Sequence, residues 1–138
     1  MAPIRITGNP RQSSCPPPTK DPALNAKNRN HAISDPMIAY GPANPDLPNA
    51  AFWKAKADVW GTSPSVAKTM RCGNCKAFNV SPFILTCIGP MAGRDSYEKS
   101  NLGQRSVLGY CEMHEFKCAS TRTCSTWVHG GPTRRWAR

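Results

Sequence analysis

Past Pro48 the apolar positions fall into helical spacing. Phe52, Trp53, Ala57 and Trp60 line one face, with Lys54, Lys56 and Asp58 as the polar complement. The pattern predicts a short amphipathic helix over residues 48–60. Pro48 suits its first turn, where a missing N–H is no loss, and Gly61 suits the position after its end. Both tryptophans read as core. A base-stacking platform would instead need exposed aromatics interleaved with Lys and Arg. Ser63 before Pro64 is an N-cap followed by a first-turn proline, and it predicts a second helical turn or two over residues 63–70. That helix would deliver Cys72 and Cys75 from its C-terminal end. Beyond them, Phe78 and the run Phe83-Ile84-Leu85 are expected to pack against the cysteines. Residues 89–108 are rich in Gly and polar residues and predict a loop. No long alternating run predicts a strand.

Before Pro48 the pattern is different. Apolar residues are sparse, and ten of the fourteen prolines lie within the first fifty residues. Pro16-Pro17-Pro18 is a short polyproline run, and Pro42, Pro45 and Pro48 recur at three-residue spacing. The expectation is an extended arm over residues 1–47, with a reach of roughly 140 Å at about 3.1 Å per residue. The expected organisation is this arm, a Cys-rich domain over residues 48–132, and a basic tail over residues 133–138. A core drawn from about 80 residues supplies only a few kcal/mol net, so such a domain needs staples. The fold class expected is therefore a small irregular Cys-rich domain. It would have two or three short helices and little regular sheet, stapled by a metal, a cluster or disulfides.

The formal net charge of +10 favours an acidic partner only where the positive residues share a face. They are scattered, apart from Arg134, Arg135 and Arg138. Nucleic acid is thus a conceivable partner but not the expected one. Met1 to Ser14 lacks the apolar run of a signal peptide, and no stretch approaches the ~20 apolar residues that span a bilayer. A leaderless chain with seven cysteines favours metal binding over disulfides, unless it joins a particle later released into an oxidising medium.

Six of those cysteines follow residue 71, beginning with Cys72-Gly73-Asn74-Cys75. A C-x-x-C places two sulfurs at one turn, able to grip one metal or cluster or to close on each other. Four readings follow. Cys72, Cys75, Cys87 and Cys111 would ligate a four-iron four-sulfur cluster, shielded by Phe78, Phe83, Tyr110, Phe116 and Trp127. Cys72, Cys75, Cys111 and His114 would hold zinc, although a surface or hydrogen-bonded role suits His114 as well. All six would form disulfides, with Cys118–Cys124 closing a short loop. A catalytic cysteine would need His31, His114 or His129, yet no nucleophile motif surrounds any cysteine, so the chain reads as a non-enzyme. The leading picture is a metal centre on four cysteines, with Cys118–Cys124 as a separate staple. Cys15, distant in sequence and making the count odd, is a candidate intermolecular cross-link or an idle free thiol.

C-G-N-C at 72–75, a following Phe, a lone cysteine and G-Y-C at 109–111 resemble high-potential iron–sulfur proteins over about 40 residues. The gap from Cys75 to Cys87 is shorter than in that family and the gap from Cys87 to Cys111 longer. Cys118 and Cys124 are extra, and the family's usual secretion signal is absent. The block from F-W-K-A-K-A-D-V-W at 52–60 through C-G-N-C to R-T-C-S-T-W-V-H-G-G-P at 122–132 resembles a small Cys-rich protein of tailed-bacteriophage particles. That resemblance implies a virion component: a linker, decoration, neck or tail protein, made in the host cytoplasm. Other virion proteins would be its partners, laced together by the arm. The alternatives are an iron–sulfur electron carrier and a zinc-dependent nucleic-acid-binding module.

Overall fold

The computed structural model describes residues 14–89 and 107–135. Residues 90–106 of the loop expected over 89–108, the first thirteen residues of the arm, and residues 136–138 of the basic tail lie outside the described residues.

Where an extended arm was expected, the chain is helical from Pro17. Helix α1 spans Pro17–Lys20 and α2 spans Pro22–Ser34. Of the prolines that suggested polyproline, Pro17 and Pro18 instead open a helix, whereas Pro42, Pro45 and Pro48 lie outside helices. Pro17 and Pro22 sit in first turns, where the lost N–H costs nothing. Asp21 caps α2, its Oδ1 accepting from the N–H of Ala23 and Leu24 at 3.0 and 3.2 Å. Composition alone hid this, because the segment's value lies in docking rather than in an apolar stripe.

The amphipathic pattern after Pro48 forms α3, Ala50–Trp60, with Gly61 in the left-handed conformation at its end (φ 66°). Ser63 caps α4, Pro64–Ala67, its hydroxyl accepting from the N–H of Val66. Both helices thus follow the sequence reading. Trp53, Ala57 and Ala67 form one buried cluster, with Phe52 and Trp60 packed against it.

A three-stranded antiparallel sheet was not expected. Its strands are β1 (Phe78–Asn79), β2 (Leu108–Cys111) and β3 (Phe116–Ala119), in the order β1-β2-β3. Cys111 stands opposite both Phe78 and Phe116, and Gly109 opposite Cys118. Strands of two and four residues carry too little alternation to read. Their burial is also nearly continuous, because both faces are covered. Thr133 exchanges backbone hydrogen bonds with Phe78 and Val80, so the expected tail begins inside the domain.

The outer edge of β3 is closed by the N-terminal segment. Asn25 Oδ1 accepts from the N–H of Lys117 at 2.7 Å, and Tyr40 Oη from the N–H of Ala119 at 2.9 Å. Asn28 Nδ2 donates to the Glu115 carbonyl. Side chains thus take the place of a fourth strand, which satisfies an edge that would otherwise be bare.

Helix α5, Pro82–Ile88, is capped by Ser81 and follows β1. It carries Phe83, Ile84 and Leu85 into a cluster with Ile88, Leu108 and Tyr110. That cluster lies apart from the cysteines those residues were expected to shield. Cys87 of α5 is bonded to Cys15 (S–S 2.06 Å, sequence separation 72). Cys15 is therefore an intramolecular staple, not a cross-link between chains, because α1 packs on α5. Among the described residues, no helix is long and apolar enough to cross a membrane.

Candidate functional site

Five cysteines remain free and all are buried: Cys72, Cys75, Cys111, Cys118 and Cys124. They line one space, together with Ala77, Phe78, Met113 and Thr126. Three turns and one strand bring them there. Cys72 opens a 3-10 turn over Cys72–Asn74 that leads to Cys75. This turn hangs on the segment after β3: the N–H of Cys72 donates to Arg122 and that of Gly73 to Ser120. Asn74 clamps it. Its Oδ1 accepts from the N–H of Arg71, and its Nδ2 donates to Thr69. Trp127 Nε1 donates to the Arg71 carbonyl at 2.9 Å, packing the indole beside the turn. Cys111 ends β2, at a turn closed by the Glu115 N–H on the Cys111 carbonyl. Glu115 itself takes a left-handed φ of 58°. Cys118 sits on β3, two residues after buried Phe116 and on the same side. Cys124 begins the turn closed by Trp127.

The sulfurs receive donors. The Val128 N–H reaches Cys75 Sγ at 3.4 Å and the His114 N–H reaches Cys111 Sγ at 3.3 Å. Thr126 Oγ1 lies 3.0 Å from Cys124 Sγ. Further amide contacts run from Ala77 to Cys75, from Met113 to Cys111, and from Thr126 to Cys124. Cys118 is hydrogen-bonded to both Cys111 and Cys72. The thiols are not equivalent. The hydrogen bond from Cys118, helped by the amides of His114 and Met113, brings the Cys111 thiol below its ordinary value despite burial. Burial pushes Cys124 up to about 12 and raises Cys75 and Cys118 as well.

Several expectations change here. Cys87 is not with Cys72, Cys75 and Cys111, because its sulfur is bonded to Cys15. Cys118 and Cys124 are both free, so the staple expected between them is not formed. Both instead face the space that Cys72, Cys75 and Cys111 share. His114 stands outside that lining. Its Nε2 is 2.7 Å from Thr126 Oγ1, one step removed from Cys124. Phe78, Phe116 and Trp127 pack with the cysteines as expected, whereas Phe83 and Tyr110 do not.

The free space between the sulfurs is about 10 Å³, roughly that of one water molecule. Among the described residues, no three His, Cys, Asp or Glu side chains already stand in an arrangement that could hold a metal ion. Sequence reasoning missed Cys118 and Cys124 as members of this group, as well as Met113 and Thr126. One signal was present: Phe116-Lys117-Cys118 alternates inward, outward, inward. The donors from Thr126 and Val128 had none, because they depend on how the chain turns after Cys124. Comparison with known proteins returns no matching family model, no matching curated protein and no matching solved structure.

Proposed function

We propose that the chain is a metalloprotein whose buried cysteines hold an iron–sulfur centre, with Cys72, Cys75, Cys111 and Cys124 as its ligands. One observation carries the reading: five free, buried cysteines face one space, in which Cys75 and Cys111 accept amide hydrogen bonds from the loops around them and Cys124 shares one with the Thr126 hydroxyl. A neutral thiol in an apolar pocket needs no such donors. A thiolate there does, and a metal supplies the remaining compensation. Four thiolates, two from one turn and one from each of two others, suit a four-iron cluster. Its own irons and sulfides lie between the cysteines, so the sulfurs need not converge on one point. Loading would require the sulfurs to move outward from the small space between them.

Zinc is the second reading, favoured by that small space, which suits a single ion. It would need four donors drawn to about 2.3 Å from one centre. On either reading the role is first structural. The centre ties the turn at Cys72, the end of β2 and the turn at Cys124 into one unit, in a domain with a limited core. A virion role draws no support from the N-terminal segment, whose residues from Pro17 onward dock on their own domain.

Iron, zinc and acid-labile sulfide should be measured on protein purified without chelator and without air. Iron with matching sulfide, and a visible absorption that bleaches on reduction, is the expected result. Zinc without iron selects the second reading. Protein with neither metal, and with the five cysteines oxidised or freely reactive, overturns both.

A further inference from the structure

Along the sequence the positive residues are scattered, apart from Arg134, Arg135 and Arg138. Folding brings others beside the first two. The segment after Trp127 returns along the chain that leads into β1, on the outer edge of the sheet. The N–H of Lys76 donates to the Val128 carbonyl, and Thr133 Oγ1 donates to the Lys76 carbonyl at 2.7 Å. Thr133 then exchanges backbone hydrogen bonds with Phe78 and Val80. The approach is close: a Cβ at Gly131 would run into the Cys75 carbonyl, and one at Gly130 would touch the Lys76 side chain. Lys76, His129, Arg134 and Arg135 therefore share one edge of the domain, and all four are exposed. We propose that this edge binds nucleic acid through its phosphates, with Lys76, Arg134 and Arg135 as the charged contacts and His129 beside them.

Charge is segregated by the pairing itself. Residues 59–94 and 116–138 contain no Asp or Glu, and these two stretches lie side by side: Cys72 bonds to Arg122, Gly73 to Ser120, Lys76 to Val128 and Val80 to Thr133. Glu112 reaches this region from the end of β2, and its Oε2 accepts from Asn79 Nδ2 at 2.7 Å. Among the described residues, none of the four basic side chains is in an ion pair. A set of unneutralised cations on one face is the footprint of an acidic partner. The surroundings select which one. A protein partner would bury an apolar centre, and a membrane would take an amphipathic helix. Here the one large apolar side chain exposed within residues 128–135 is Val128, at 37%, and no helix or strand carries the cations. Phosphates need neither feature, and the forked guanidinium of each arginine matches a phosphate bidentately. With no element to enter a groove, the contacts fall on the backbone, so binding is independent of sequence.

Fluorescence anisotropy of the full chain with short labelled DNA duplexes of two unrelated sequences, over a range of salt concentrations, tests this. Both sequences should bind alike. The logarithm of affinity should fall against that of salt with a slope of about −2.7 or steeper, the value for three phosphates. Arg134→Ala with Arg135→Ala should make the slope shallower by about 2 and weaken binding by at least about tenfold. Lys76→Ala should take away about 1. The arginines are exposed and follow the last backbone pairing at Thr133, so their double variant carries the test even if the Lys76 variant fails to fold. Lys20→Ala with Lys27→Ala removes the same charge from α1 and α2, which pack on β3 at the opposite edge of the sheet, and should leave the slope unchanged. No binding, binding insensitive to salt, or an equal loss in the Lys20 and Lys27 variant overturns the proposal. So does tighter binding of polyglutamate, or of phosphatidylserine vesicles, through the same two arginines.

Discussion

Two groups of cysteines in this chain meet opposite ends. Cys15 and Cys87 lie 72 residues apart, on a segment before α1 and on α5, and they are joined. Cys72, Cys75, Cys111, Cys118 and Cys124 are gathered around one space, and all remain free. The difference is not burial, since Cys87 is as covered as the others. It lies in how many sulfurs meet and what surrounds them. Cys15 and Cys87 meet as an isolated pair, Cα atoms 5.6 Å apart, which is a spacing a disulfide can bridge. The five meet as a group, on three turns and a strand, with amides or a hydroxyl beside Cys75, Cys111 and Cys124. The lesson is that a cysteine's role is set by the company its sulfur keeps. Sequence distance decides little, and here it suggested the wrong partners for both Cys87 and Cys118.

The sharpest way to break the comparison is to deny the five cysteines the metal proposed for them while leaving the disulfide. A chelator, or Cys75→Ser with Cys111→Ser, should unfold the region around the 3-10 turn and β2–β3. The loss should be on the order of the domain's whole net stability, about 5 kcal/mol or more. Circular dichroism and amide exchange would read it, and an unchanged exchange pattern would count against a stapling role. The opposite experiment, Cys15→Ala with Cys87→Ala, should cost about 4 kcal/mol by loop-closure entropy. It should leave metal content untouched. Denaturant melts and metal analysis check both halves, and a loss of metal would show that the two groups are not independent.

A smaller effect is expected at the contact between the two regions. Tyr40→Phe removes the acceptor of the Ala119 N–H beside Cys118. It should cost about 1–3 kcal/mol, because a buried donor is left unpaired, while the edge-on packing on Phe116 survives. The smallest effect concerns His114, whose basicity is lowered by burial and then by nearby His31. The unfolded chain therefore takes up the proton first as pH falls below 6.5. Stability should decline from there and level off below the folded value. His114→Gln should flatten that limb of a pH titration of the melting midpoint.

What the sequence made legible was local. Helices α3 and α4 follow from Phe52, Trp53, Ala57, Trp60 and Gly61, and from Ser63 before Pro64, because spacing and capping are read within a few residues. Cys72 and Cys75 were singled out by their own spacing. The rest depended on contacts far along the chain. Asn25 and Tyr40 gain their meaning only from amides at Lys117 and Ala119. The strands are too short to alternate visibly, and the prolines before Pro48 are compatible with either extended chain or helix starts. Cys87 was placed with Cys72, Cys75 and Cys111 because a four-iron cluster requires four thiolates, and Phe83-Ile84-Leu85 before it were expected to pack there. Those residues belong to a different cluster, and the sulfur turns with them toward α1.

The bond between Cys15 and Cys87 closes the chain into a covalent ring. Helices α1 to α4, β1 and the Cys72–Cys75 turn all lie inside it, whereas Cys111, Cys118 and Cys124 lie on the open strand beyond. A protease that cuts once within the ring leaves one covalent molecule, heavier by a single water, until a reductant is added. A cut beyond the ring leaves the distal piece with no covalent tie, held only by its contacts with β1 and the N-terminal segment.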